Sequence, residues 1–322
     1  MSYMKLQRSG GRAGKAREAV VRFGPAGWMY KDWEGVVYPD PKPPRFDQLQ
    51  YIAGLFDTVE INSSFYGPPV PKTTASWVRR VEEHRDFRFT AKLWKRFTHE
   101  RTKAWTTAEV DQVRAGFDVM MDAEKLGAVL LQFPWSFKRT DENREWLGDV
   151  ARTFSLYPLV VEVRHTSWLD PDFLAALEEE GLGFVNIDQP LYHNSIRPSA
   201  RVTSHVGYVR VHGRNYKDWF RAKASVEERY NYLYKPEELE PWVERAQEIA
   251  AHPGTSEVYV ITNNHYKGKA VANAVMMKSM VSGERVPAPS GIFEAYGDAV
   301  NDYAIPLDEG AETGANRLTA RR

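Results

Sequence analysis

Eight short apolar segments, most of them separated by one helical stretch, constrain this chain more than any other feature. They read VVRFG (20–24), TVEIN (58–62), FRFTAK (87–92), AVLLQF (128–133), LVVEVR (159–164), GFVNID (183–188), GYVRV (207–211) and VYVITNN (258–264). Each is rich in Val, Ile or Phe, the composition of a parallel strand buried on both faces. Most gaps between them carry a helical period, so the chain reads as repeated βα units. Such a barrel takes roughly 250 residues, and eight units in a 322-residue chain predict a (β/α)8 TIM-type barrel over residues 19–304.

The helical stretches carry their own punctuation. Residues 46–56 have Asp47 near the start, and 71–84 offer Thr73 or Thr74 as a cap ahead of Trp77, Val78 and Val81. Residues 106–126 place Val110, Val113, Phe117, Met120 and Met121 on one side, with the methionines read as core filling. Residues 140–153 open on a capping pattern, Thr140 to Asn143. Residues 170–181 have Asp170 as cap, Pro171 in the first turn and Gly181 as stop. Residues 235–251 and 269–281 supply the last two helices. Between Asp188 and Gly207 there is no helical period and there are two prolines, so the sixth unit is predicted to lack a regular helix. The segment 212–234 is long and aromatic, which predicts a loop that binds or covers something. Residues 1–18, with Lys5, Arg8, Arg12, Lys15 and Arg17, read as a flexible basic tail, and 305–322 as a flexible polar tail.

Composition narrows the function classes. Basic and acidic residues number 43 each, so no global charge draws the chain to nucleic acid or to a membrane. The chain has no cysteine, which excludes disulfides and thiolate-bound zinc. No apolar run approaches the ~20 residues that span a bilayer, and the N-terminus lacks the apolar core of a signal peptide. The expectation is a soluble, cytoplasmic protein.

Polar side chains gather where the predicted strands end: Glu60, Asn62, Lys92, Gln132, Glu162, Arg164, Asp188, Arg210, His212, Asn263 and Asn264. In a barrel those ends share one face, the face that carries active sites. A carboxylate at a buried strand end is costly unless it is paired or binds a metal. Glu60, Glu162 and Asp188 therefore read in three ways: an acid–base pair, a Mg or Mn site completed by His212, or plain ion pairing in the barrel mouth. Side-chain alternation puts Glu162 beside Arg164 and Arg210 beside His212. Lys92, Arg164 and Arg210 either neutralise the acids or, with loop residues such as Arg214, receive an anion. The chain has 10 Trp and 16 Tyr, and many follow strand ends, among them Trp28, Tyr30, Tyr66, Trp94, Trp135, Trp168, Trp219 and Tyr266; their repetition there points to a lined pocket. His212 suits proton transfer, because an unperturbed imidazole titrates near neutrality. There is no Gly-rich phosphate loop and no nucleophile elbow.

Seven segments, taken in order, resemble the YecE-like family, the domain of unknown function numbered seventy-two. They are GPAGWMYKDWEGVVYP, VEINSSFYGPP, FTAKLWKRFTHER, LLQFPWSF, VVEVRHTSW, YVRVHGRN and VITNNHYKGKAVANA, and the likeness runs from about residue 22 to 282. The resemblance implies a (β/α)8 barrel and carries no activity with it. Glu60, Asn62, Tyr66, Lys92, Gln132, Glu162, Arg164, His165, Trp168, Arg210, His212, Gly213, Asn263, Asn264 and Tyr266 fall within its motifs.

The resulting expectation is an enzyme acting on a polar, anionic small molecule or sugar derivative by acid–base chemistry at the C-terminal barrel face, as a hydrolase, isomerase or lyase. Glu60 or Glu162 serves as general acid or base and His212 as a second proton carrier. Lys92, Arg164 and Arg210 orient the substrate, and Asn62, Gln132, Asn263 and Asn264 hydrogen-bond it. Tyr66, Trp168 and Asp188 complete the binding set, and a metal-assisted version recruits Mg or Mn through Asp188, Glu60, Glu162 and His212. Glu162→Gln is expected to keep the fold and abolish turnover. The alternatives are a nucleic-acid binding or processing protein, using the basic tail with Arg214, Lys217, Arg221 and Lys223, and a non-catalytic ligand-binding scaffold.

Overall fold

Eight parallel strands form one sheet in a computed structural model that describes residues 19–219, 221 and 225–307. They are β1 (Val20–Pro25), β2 (Thr58–Ile61), β3 (Arg88–Lys92), β4 (Leu126–Gln132), β5 (Leu159–Glu162), β6 (Gly183–Asp188), β7 (Val206–Val211) and β8 (Glu257–Thr262). Each pairs with its sequence neighbour from β2 to β8, and β8 returns to pair with β1 in register Val20 to Glu257. The seam between β1 and β2 closes through an Ala26–Glu60 bridge, in which the Gly27 amide donates to the Glu60 carbonyl over 2.8 Å. Gly24 permits that closure, since a Cβ there would lie 1.8 Å from the Thr58 carbonyl oxygen. The (β/α)8 barrel expected from the strand count is the observed architecture.

Among the described residues ten α-helices accompany the strands: α1 (Gln48–Leu55), α2 (Pro71–Arg80), α3 (Lys95–Thr98), α4 (Thr107–Asp122), α5 (Asp141–Thr153), α6 (Pro171–Glu179), α7 (Val226–Arg229), α8 (Pro236–Ala251), α9 (Lys269–Ser282) and α10 (Ser290–Val300). Their starts follow local chemistry. Asp47 accepts from the Leu49 and Gln50 amides, Thr140 from Asn143, and Asp170 from Asp172. Thr106 and Glu109 close a full capping box at α4. No helix joins β6 to β7, as the two prolines suggested. Among the described residues, no helix is long and apolar enough to cross a membrane.

Several expectations need correction. Neither Thr73 nor Thr74 caps α2: the helix begins at Pro71, whose fixed φ suits the first turn, and Thr74 is buried within it. Met120 fills the core, but Met121 is 40% exposed, because one residue of helix rotates the side chain by about 100°. The tail read as flexible from residue 305 begins inside a strand, at Ile305 and Pro306. After α10, β10 (Ala304–Pro306) pairs with β9 (Val286–Ala288), and the apolar Ala288 and Ala304 carry the contact. The basic segment 1–18 and residues 308–322 lie outside the described residues.

Between sheet and helices the core is heavily aromatic, with Trp33, Trp168 and Trp242 fully buried. Each large side chain so buried contributes roughly 1.5–3 kcal/mol. Inside the barrel the character changes. The strand register turns Tyr208 and Arg210 of β7, Glu60 of β2, Thr90 and Lys92 of β3 and Glu162 of β5 toward the axis. The barrel is therefore filled by polar side chains toward its C-terminal end.

Candidate functional site at the barrel mouth

Arg210 sits at the centre of that filling, fully buried. Its Nη2 donates to Glu60 Oε1 over 2.6 Å and its Nη1 to Glu162 Oε2 over 2.5 Å. The other Glu60 oxygen accepts from Tyr208 Oη at 2.9 Å, and Tyr208 in turn accepts from Thr90 Oγ1 at 2.8 Å. Glu162 Oε1 receives Arg164 through Nε at 2.8 Å and Nη2 at 2.7 Å. Burial pushes the Glu162 carboxyl up, but Arg210, Arg164 and His212 outweigh it and hold the group well below its ordinary 4.5. Both glutamates thus meet the ion-pairing reading of the sequence, and Glu162 stays a carboxylate that orients guanidinium groups.

His212 follows two residues after Arg210 on the same inward face, fully buried. Asn263 presents its amide nitrogen to Nδ1 at 3.0 Å, so Nδ1 accepts and Nε2 carries the proton. Nε2 lies 3.4 Å from Glu162 Oε1 without a well-formed hydrogen bond and is buried with no other partner. Burial, assisted by Arg210 and Arg164 against the pull of Glu162, lowers this imidazole from 6.5 to about 3. A proton-carrier role at neutral pH does not suit it; a neutral N–H donor does.

Lys92 is the exception to the pairing. Among the described residues its ammonium has no hydrogen bond and no carboxylate partner, only the Phe65 ring 5.6 Å from Nζ. Burial, with Arg210 and Arg164 adding repulsion against the attraction of Glu60 and Glu162, lowers it from 10.5 to about 8. Two carboxylates against two guanidiniums leave Lys92 as the surplus cation of the mouth. Asn62, just after β2, is bonded to Tyr30, and its Oδ1 is buried with no hydrogen-bond partner among the described residues. Gln132 is in register with Glu162 and half-buried, its amide donating to the Phe133 carbonyl at 3.1 Å.

The long loop after β7 roofs this arrangement. Trp219 packs 6.1 Å from His212 and 5.8 Å from the Arg164 guanidinium, and Tyr230 bridges His212, Trp219 and His265. Tyr30 stacks on His265 from the other side at 4.4 Å. His99, seven residues after Lys92 in the same motif, was not singled out in the sequence. Its ring packs edge-on against Phe65 at 4.9 Å, and burial, Arg164 and Lys92 lower it from 6.5 to about 4.

Four of the expected residues lie elsewhere. Asp188 is in register with Val211, one residue off Arg210, so it faces the helix layer. There it binds Arg214 at 2.9 and 3.1 Å and accepts from Tyr234, while Arg214 also meets Glu238 at 3.2 Å. Asn264 points outward for the same reason, two residues beyond Thr262, and bonds Tyr232 and Asn273. Trp168 is fully buried, donates to the Phe137 carbonyl at 2.6 Å and stacks on Phe137, so it walls the core. Tyr66 is 71% exposed against Phe65.

This placement bears on the metal and nucleic-acid expectations. Asp188 does not join Glu60, Glu162 and His212, and among the described residues no three His, Asp or Glu side chains are grouped to hold a metal. Of the loop bases, Arg214 is committed to Asp188 and Glu238, and Arg221 to Asp218 and Glu228. Lys223 lies outside the described residues. A separate surface groove of about 810 Å3, bounded by the proline-rich segment 38–46 and the start of α10, carries no buried unpaired polar group.

Comparison with known proteins agrees with the motifs. The family model described as protein of unknown function DUF72 matches residues 22–292. The UPF0759 protein YunF of Bacillus subtilis is 28% identical over 278 residues, covering 82% of this chain and 96% of that protein. The crystal structure of a DUF72 family protein from Thermotoga maritima superposes with a TM-score of 0.71 at 32% identity, over 82% of this chain and 99% of that one. One from Enterococcus faecalis gives 0.70 at 25% identity, over 82% and 96%. The chain belongs to the DUF72 family.

Proposed function

We propose that this DUF72 protein is an enzyme acting on a polar, anionic small molecule or sugar derivative, bound at the C-terminal mouth of its barrel. The observation that carries the reading is the unbalanced charge. Glu60 and Glu162 are bound by Arg210 and Arg164, so among the described residues the cation of Lys92 has no ion-pair partner of its own. Arg164 adds a second cationic edge, since its Nε and Nη2 serve Glu162 while Nη1 has no hydrogen bond among the described residues. An anion entering the mouth supplies what Lys92 lacks.

The roles then shift from those the sequence assigned. Glu60 and Glu162 fix Arg210 and Arg164 and are positioning groups. Lys92, with its amine lowered to about 8, exchanges protons near neutrality and takes the acid–base role. The His212 Nε2–H polarises a substrate oxygen without moving a proton, and Asn62 Oδ1 accepts from a substrate hydroxyl or amide. Trp219 and Tyr230 close off solvent.

Thermal melting with inorganic phosphate, simple dicarboxylates and sugar phosphates tests the binding. At least one of these anions should stabilise the wild type, because a ligand of the folded state raises stability by mass action. Lys92→Met should lose that stabilisation and Arg214→Met should keep it. Equal stabilisation of the wild type and Lys92→Met, or none in the wild type, would contradict the assignment.

A further inference from the structure

The geometry points to Lys92 as a covalent residue: we propose that its amine condenses with an aldehyde or ketone group of a substrate that also bears a carboxylate or phosphate, forming an imine. The inference rests on the reading of the mouth as an anion site and adds the reacting group.

Three features of the structure support it. First, Lys92 has no ion-pair or hydrogen-bond partner among the described residues, whereas the nearby cations Arg164 and Arg210 are both tied to carboxylates. A lysine retained for charge alone gains most when it is paired; an unpaired amine in a desolvated site is free to act as a nucleophile. Secondly, burial and the neighbouring cations favour the free amine against the attraction of Glu60 and Glu162, which is shared with those cations. Arg210 of β7 and Arg164 after β5 repel its proton, Glu60 of β2 and Glu162 of β5 are committed to those arginines, and His99 after α3 is neutral. Thirdly, two buried polar atoms of the mouth are weakly met or unmet among the described residues: the His212 Nε2–H, with only Glu162 Oε1 at 3.4 Å, and Asn62 Oδ1, with no hydrogen-bond partner. The first suits a carbonyl oxygen and the second a hydroxyl or amine hydrogen.

The step balances without an outside oxidant or reductant. The nitrogen lone pair of Lys92 attacks the carbonyl carbon while the C–O π pair moves to oxygen. Proton transfer from nitrogen to that oxygen gives the carbinolamine. The C–O bond then breaks, one water leaves, and the C=N bond forms. The imine nitrogen, once protonated, acts as an electron sink beside the cations of Arg210 and Arg164.

The test uses glyoxylate, an aldehyde bearing a carboxylate, with sodium cyanoborohydride as trap, and peptide mass mapping as readout. At limiting reagent and neutral pH, Lys92 should gain a carboxymethyl group at least about tenfold faster than any other lysine, since a free-amine fraction larger by about two orders of magnitude outweighs the lower nucleophilicity of a weaker base. Lys92→Arg keeps the cation and the fold but has no amine that forms an imine, so it should bind phosphate and acquire no adduct in the mouth. Phosphate stabilisation of the wild type with no preferential trapping at Lys92 overturns the imine and leaves the anion site standing. Absence of both effects overturns the imine together with the functional reading beneath it. Trapping spread evenly over surface lysines also overturns the imine.

Discussion

Two polar networks at the same end of the barrel, about as charged as each other, differ in what they leave over. Around Asp188, the carboxylate meets Arg214 through two bonds and Tyr234 through a third, and Arg214 and Tyr232 both close onto Glu238. This set faces the helix layer and ties the loop after β7 to α8, with Gly213 at φ +91° making the turn and donating to Tyr234 at 2.8 Å. Around Arg210, the carboxylates are just as well paired, but among the described residues Lys92 and Asn62 Oδ1 have no partner and His212 Nε2 has only Glu162 Oε1 at 3.4 Å. A charged strand end therefore does not mark a site by itself. What distinguishes the mouth is the remainder after pairing.

The largest expected effect comes from breaking the inner network. Arg210→Met leaves the fully buried Glu60 without a cation and Glu162 with Arg164 alone, and should cost about 3–5 kcal/mol in urea unfolding, or abolish folding. Glu162→Gln should also destabilise strongly, because Glu162 neutralises both Arg210 and Arg164; this revises the expectation that the variant keeps the fold intact. Arg214→Met in the outer network should cost less, about 1–3 kcal/mol, since that guanidinium side chain is 29% exposed. An equal or larger loss for Arg214→Met would erase the contrast between the networks.

Lys92→Met should sharpen it in the opposite direction. Removing an unpaired, half-buried cation is expected to leave stability at neutral pH unchanged or raised, while anion binding is lost. The pH dependence follows from the lowered amine. Between about 8 and 10.5 the unfolded chain holds a proton at Lys92 that the folded chain has released, so this group makes the wild type gain stability as pH rises through that window. Lys92→Met should lack that gain in paired melts.

The smallest effect concerns acid. His212 titrates at 6.5 unfolded and at about 3 folded, so its contribution is full above 6.5 and is lost as pH falls toward 3. Glu162 adds a loss below its ordinary 4.5. His212→Gln should flatten the part of the acid decline that begins near 6.5 and spare the part below 4.5. An unchanged profile in that variant would mean that His212 is not held neutral.

The fold was legible because strand composition and helix caps are local: Asp47, Thr140 and Asp170 each act within a few residues of themselves. The strand ends that carry the mouth were legible too. Which way each end points was not. Asp188 and Asn264 stand one residue out of phase with Arg210 and Asn263, and that phase is set by the pairing of β6, β7 and β8. Counting in twos along GYVRVH and VYVITNN separates Asn263 from Asn264; Asp188 needs the neighbouring strand. The spare charge of Lys92 was hidden for a different reason, since three acids against three bases balance in sequence until Asp188 is seen to leave for Arg214.

The most direct measurement of the central claim is a pH titration of the Lys92 amine by heteronuclear NMR, with the Lys92→Arg variant assigning the signal. Lys92 titrating near 8, as an unpaired amine among arginines, is the predicted result. Titration at or above the ordinary 10.5 would place a carboxylate on Lys92 and contradict the account of the mouth as a site with a charge to spare.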